Sequence, residues 1–136
     1  MKFSLEINEK QARAILKALE FYERLSMGQV NELAHHFISP FSDKINDENK
    51  YIIEEMSEKI KKEVFPELDS NSSFGIFSKN VSDDAKIMYD IQQVLRHCVA
   101  WSKNPSGDIF VDYDTPLQSS KEDMPVAKKI KMSDDE

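Results

Sequence analysis

The sequence predicts a mostly helical α+β fold. It comprises four helices, a small two-stranded β ribbon built from the chain ends, and a disordered C-terminal tail. Three observations predict it. Apolar residues recur at helical spacing in four segments, set off by capping residues, glycine or proline. Near the two ends of the body the pattern alternates instead, with Phe3, Leu5 and Ile7, then Ile109, Val111 and Tyr113, the period of a half-buried strand. Beyond Thr115 the chain is Pro, Ser, Lys and Asp without periodicity, a composition that buries too little apolar surface to order itself. These limits give a single globular domain over residues 1–114 and a tail over 115–136.

Each element has a local reason. Residues 3–7 read as the first strand. Asn8 with Gln11 three residues on is a capping-box pattern, and the helix it opens runs to about Ser26. That helix is apolar over most of its circumference, from Ala12 and Ile15 through Leu19, Tyr22 and Leu25, with a polar stripe of Arg13, Lys17, Glu20 and Arg24. Gly28 suits the left-handed residue that ends it. A second helix, from about Gln29 to Ile38, places Val30, Leu33, Ala34 and Phe37 on one face, and Ser39-Pro40 stops it. Asp47 starts a third, with Ile52 or Ile53, Met56, Ile60 and Val64 inward, a charged outer face, and Pro66 as terminator. Residues 71–79 form a loop with room for a short strand over 74–77. Ser82 caps the fourth helix, and Asp83 and Asp84 suit its positive end. Asn104-Pro105 and Gly107 then turn the chain into the last strand, over 109–113, which pairs with residues 3–7. The expected core includes Ile15, Leu19, Tyr22, Leu33, Phe37, Met56, Ile60, Ile91, Leu95 and Trp101.

A net charge of −7 over 136 residues opposes non-specific nucleic-acid binding, which needs a basic field to displace counterions. The single Cys98 cannot form an internal disulfide and reads as a small buried hydrophobe in a reducing compartment. The opening MKFSLEINEK lacks the apolar centre of a signal peptide. No apolar run approaches the ~20 residues of a membrane span. The expected location is the cytoplasm.

The fourth helix is the most informative stretch. From Ile87 to Trp101 it contains no lysine and no glutamate, in a chain that is 32% charged. Ile87, Ile91, Val94, Leu95, Cys98 and Trp101 form one apolar arc; Tyr89, Gln92, Gln93, Arg96 and His97 form the other, with Asp90 at its edge. Solvated helix faces are written with Lys and Glu, whereas these residue types belong to surfaces that meet something.

The segments Ala18-Leu19-Glu20-Phe21-Tyr22-Glu23-Arg24-Leu25-Ser26-Met27-Gly28-Gln29, Ser73-Phe74-Gly75-Ile76, Tyr89-Asp90-Ile91-Gln92-Gln93-Val94-Leu95-Arg96-His97 and Val111-Asp112-Tyr113-Asp114-Thr115-Pro116 go together. As a set, they resemble an uncharacterised family of small proteins encoded by phages and bacterial mobile elements. That family carries no assigned activity, so the resemblance implies context and not chemistry: an accessory protein inside a bacterial host, acting against a host defence.

Chemistry-bearing constellations are few. Glu32-x-x-His35 has the spacing of a helical di-iron motif, but His97 has no Glu three residues before it, and His35 and His36 diverge by about 100° on one helix. Cys98 and His97 also diverge, and a thiol on a buried arc is a poor nucleophile. Asp83-Asp84 and Asp112-x-Asp114 read as a helix start and a strand end. The polar set Arg24, Gln29, Tyr89, Gln93, Arg96 and His97 is the candidate binding site for a ligand or partner, because Arg offers a planar fork for carboxylate or phosphate and Tyr and His offer stacking faces. Against this stands a structural role, with Arg96 and His97 tying the helix to the loop around Phe74. The same face could close a two-fold homodimer. Val126-Ala127-Lys128-Lys129-Ile130-Lys131 reads as a solvated basic end or a peptide that orders on a partner.

The expected function is non-catalytic binding: a phage-type accessory protein that inhibits or sequesters a host component, either a host protein or a small anionic ligand. It calls for no cofactor, no metal and no membrane. The alternatives are a small metal-dependent or hydrolytic enzyme and a nucleic-acid-associated regulator.

Overall fold

The computed structural model describes residues 1–38 and 45–132. Four α-helices occur among them, α1 (Glu9–Ser26), α2 (Asn31–Ile38), α3 (Asp47–Val64) and α4 (Asp83–Lys103), followed by a single 3-10 turn, Val111–Tyr113. The expected Ser39-Pro40 stop and the last four residues of the tail lie outside the described residues.

The protein is mostly helical, and the α+β expectation is corrected: no β-strand occurs among the described residues. Neither alternating segment has a face to bury. Phe3 and Leu5 are 90% and 74% exposed and Ile109 is 96% exposed, and a two-stranded ribbon without cover is marginal in water. A local contact claims the second segment instead. The Trp101 indole Nε1–H donates to the Tyr113 carbonyl at 3.3 Å, and the two rings meet edge to face at 5.3 Å. Residues 74–77 are irregular chain leading into a turn at 76–77 rather than a strand.

Side chains at the helix ends satisfy backbone groups that the helix leaves open. At α1, Asn8 N–H donates to Gln11 Oε1 and Gln11 N–H donates to Asn8 Oδ1, both at 2.9 Å, a reciprocal capping box. Its far end closes as a Schellman motif: Gly28 N–H reaches Leu25 O at 3.0 Å, Gln29 N–H reaches Arg24 O at 2.9 Å, and Gly28 takes φ +92°. Asn46 accepts from Asn49 N–H at the start of α3. Ser82 Oγ accepts from Ala85 N–H at the start of α4.

The chain divides into two compact units. The first comprises residues 1–20 and 86–136. In it, Glu9 Oε1 takes the Lys103 ammonium and the Arg13 guanidinium, each at 2.9 Å, tying the start of α1 to the end of α4. These hydrogen bonds, Lys103 first and Arg13 second, hold the Glu9 carboxyl below its ordinary range. A lowered carboxylate stabilises the fold above its unfolded pKa, and that stability is lost as pH falls through the folded value. The site is open to water, so the effect is small and weakened by salt. Lys103→Met is expected to raise the Glu9 titration midpoint in side-chain carboxyl NMR, with Arg13→Met raising it less.

The second unit comprises residues 21–85. Here α2 packs on α3, and Val30, Ala34, Ile76, Val81 and Ala85 are buried. Phe74 N–H donates to Met27 O at 2.8 Å, and the Phe65 and Phe74 rings meet edge to face. The loop after α3 is gathered by Lys61, whose ammonium donates to Ser70 O at 3.0 Å and Ser72 O at 2.7 Å.

Periodicity identified residues that share a face but misjudged which faces are covered. Tyr22, Phe37, Met56, Ile60, Ile91 and Trp101, all expected in the core, are exposed; Ile15, Leu19, Leu33 and Leu95 are half-buried. On α3 the reason is visible. Ser57 and Lys61 are the buried residues of that helix, because the Lys61 ammonium can satisfy two loop carbonyls only by turning inward. The apolar row a quarter-turn away is left outside. On α4, Asp90, Gln92 and Gln93 are buried while Ile91 and Trp101 are exposed.

Candidate functional site

The end of α4 and the turn after it, in the first unit, form the most organised surface around the residues singled out in the sequence. Gly107, at φ +75°, permits the turn and lies under the Trp101 ring: a Cβ there would stand 2.7 Å from Cη2. Trp101 is fixed between this glycine, Tyr113 and His97, whose ring lies 6.1 Å away, edge to face. Arg96 Nε stands 3.3 Å from Asp112 Oδ1, an ion pair too bent to be a directed hydrogen bond. Asn104 Nδ2 donates to Gly107 O at 3.2 Å. This framework presents Ile109, Phe110 and Val111 to solvent at 96%, 65% and 58% exposure.

The remaining residues of the polar arc of α4 are buried or half-buried. Gln93 is buried, and its Nε2 donates to Gln92 Oε1 at 3.2 Å. Tyr89 is half-buried. His97 is half-buried too, and its shielded Nδ1 has no hydrogen-bond partner among the described groups. Asp90 is 2% exposed and receives the segment beyond Thr115. Ser119 N–H and Ser120 N–H donate to its two oxygens at 2.6 and 3.1 Å, and both hydroxyls bond it as well.

Arg24 and Gln29 belong to the second unit. Arg24 Nη1 bridges to Glu32 Oε1 at 3.1 Å, and Gln29 contributes its backbone to the Schellman closure. Glu32 also lies 4.0 Å from His35 Nδ1, so the sequence motif Glu32-x-x-His35 is shared with an arginine. No group of three or more metal-ligating side chains converges among the described residues.

Sequence reasoning missed three residues. Asp112, read as a strand end, is the partner of Arg96; Phe110 is the most exposed ring of the surface; Asp90 is the anchor of the C-terminal segment. Asp112 had a signal, as part of the late Val111-Asp112-Tyr113-Asp114 segment, and so did Asp90, at the edge of the polar arc of α4; Phe110 had none. Chemically the arrangement is an apolar platform beside a charged pair, with no nucleophile held against a base. No family model matches the chain, and neither a curated protein nor a solved structure is found similar to it.

Proposed function

We propose that this chain is a non-catalytic binding protein that inhibits or sequesters a host protein by seating residues 109–111 in an apolar cleft of that partner. One observation carries the reading: three consecutive apolar side chains stand in solvent at 96%, 65% and 58% exposure on a turn fixed by Trp101, Gly107 and Tyr113. A preformed apolar turn loses little entropy on docking, and binding energy concentrates in aromatic and Arg residues near the centre of a contact. Phe110, Trp101 and Arg96 are of those types. The resemblance to phage and mobile-element proteins supports an accessory role in the cytoplasm of a bacterial host, against a host defence. No described helix is long and apolar enough to cross a membrane.

A protein partner is favoured over a small anion because both candidate arginines already hold carboxylates, Arg24 that of Glu32 and Arg96 that of Asp112. An anion would have to displace them.

The test is a double variant, Ile109→Asp with Phe110→Asp, which alters exposed side chains and is expected to leave circular dichroism and Tm unchanged. Wild-type chain immobilised in bacterial lysate should retain a protein that the variant does not, and the purified pair should bind with the same dependence. Equal retention by both chains, or by neither, overturns the reading.

A further inference from the structure

The segment beyond Thr115 carries a chemical pattern that the proposed function does not use. Of the 15 serines in the chain, three have an acidic residue three positions later: Ser119 with Glu122, Ser120 with Asp123 and Ser133 with Glu136. All three lie in this segment. A serine/threonine kinase whose substrate groove is basic selects such a pattern by charge complementarity.

Ser120 is the best placed of them. Residues 114–132 form no helix or strand, and Leu117, Gln118, Lys121, Glu122 and Asp123 are exposed, so the chain on both sides can extend into a cleft. The serine itself is half-buried and tied to the Asp90 carboxylate, which is 2% exposed. Its hydroxyl makes the shortest of the four bonds to that group, donating to Asp90 Oδ2 at 2.5 Å. The same oxygen accepts from Glu122 N–H at 3.2 Å, so its one proton is committed to the carboxylate. A kinase therefore takes the segment from its locally open state.

We propose that Ser120 is a phosphorylation site and that its phosphorylation unlatches the C-terminal segment from α4. Ser120 Oγ attacks the γ-phosphorus of ATP. The new O–P bond replaces the bond to the leaving ADP, and the hydroxyl proton passes to the kinase's base. The product inverts the contact with Asp90. An ester oxygen has no proton to donate, so Asp90 Oδ2 loses its closest donor and faces an acceptor. The phosphate also brings a charge of roughly −1.5 to −2 at pH 7 beside a carboxylate that water screens little. Lys86, one turn before Asp90 on α4, can offer the phosphate a cation, but it returns no donor to the carboxylate. The turn over residues 104–113 is held separately, by Trp101, Gly107 and the Arg96–Asp112 pair. The switch thus acts on the C-terminal segment and leaves residues 109–111 in place.

Two experiments on the full chain test this. In the first, the purified protein is incubated with ATP and a serine/threonine kinase that selects acidic residues C-terminal to its target. Mass spectrometry of the digested product should place phosphate on Ser120, and faster in Asp90→Asn, where the latch is weakened. In the second, phosphoserine is installed at position 120 by codon suppression and amide hydrogen exchange is followed. Exchange at Ser119 and Ser120 should quicken by about tenfold or more, the equivalent of one lost hydrogen bond to a charged group. Ser120→Ala, which removes the hydroxyl and adds no charge, should quicken it less. No phosphate on Ser120, a rate no faster in Asp90→Asn, or unchanged protection in the phosphoserine chain would overturn the proposal. None of these outcomes depends on the residue 109–111 variants, so partner binding and the latch can fail separately.

Discussion

Replacing Asp90 with Ala is expected to destabilise the protein by about 3 kcal/mol and to release the C-terminal segment. Asp90 is almost fully buried and bonds four groups, the backbone N–H and the hydroxyl of Ser119 and of Ser120. Hydrogen bonds to a charged group contribute about 1.5–3 kcal/mol each, but these four hold one short segment and act together, so their values do not add. Alanine recovers several tenths of a kcal/mol in helix propensity, too little to offset the loss. Ser119 Oγ also reaches Lys86 O at 3.0 Å, one turn earlier on α4, and that bond alone cannot keep the segment in place. Amide hydrogen exchange would show the effect first at Ser119 and Ser120, and urea denaturation would give its size. Asp90→Asn should behave similarly, because an amide keeps one oxygen acceptor and turns an NH2 toward donors. Unchanged protection at both serines in the alanine variant would show that the anchor lies elsewhere.

Gly28→Val should cost about 3–5 kcal/mol, from two sources. The backbone at φ +92° is one that L residues adopt at a cost of roughly 1–2 kcal/mol. In addition, a Cβ at this position would stand 2.5 Å from Leu68 Cδ1 and 3.7 Å from the Phe65 ring. Forcing volume into a packed site costs about 1–3 kcal/mol. Leu68 can rotate its terminal methyl away in part, so Gly28→Ala should fall lower, near 2–3 kcal/mol by the same two terms. Gly75→Ala is the control. A Cβ there meets nothing within 4 Å, and the change should stay within about 0.5 kcal/mol. Chemical denaturation of the three variants checks the ranking. If Gly28→Val matched Gly75→Ala, the Schellman closure would not be holding α1 to the loop that carries Leu68.

The four helices were legible because their signals are local. Asn8 and Gln11 cap each other across one turn, Gly28 lies where the backbone must turn left-handed, and Pro66 cannot continue α3. Each of these is settled within about six residues of chain. The strands were misjudged because alternation is only half of a strand. Phe3-Leu5-Ile7 and Ile109-Val111-Tyr113 have the right period, but a ladder also needs a partner and a covering layer, and both are tertiary facts. The candidate site was legible in the same measure. Arg96 and His97 were singled out by an odd helix composition, whereas Asp112 and Phe110 became part of the site only through the turn at Gly107.

By itself, then, the sequence determined where helices start and stop, because caps, glycine turns and prolines act through bonds a few residues long. It also determined which side chains share a helical face, because the period of the helix is fixed. The tertiary structure alone decided which of those faces is covered. On α3, the Lys61 ammonium needed the carbonyls of Ser70 and Ser72 and drew its own side inward, leaving Ile52, Met56, Ile60 and Val64 in solvent. On α4, Asp90 was buried because Ser119 and Ser120, 29 and 30 residues away, satisfied its charge. A buried polar group must find its partners wherever the chain supplies them, and no local pattern reports where that will be.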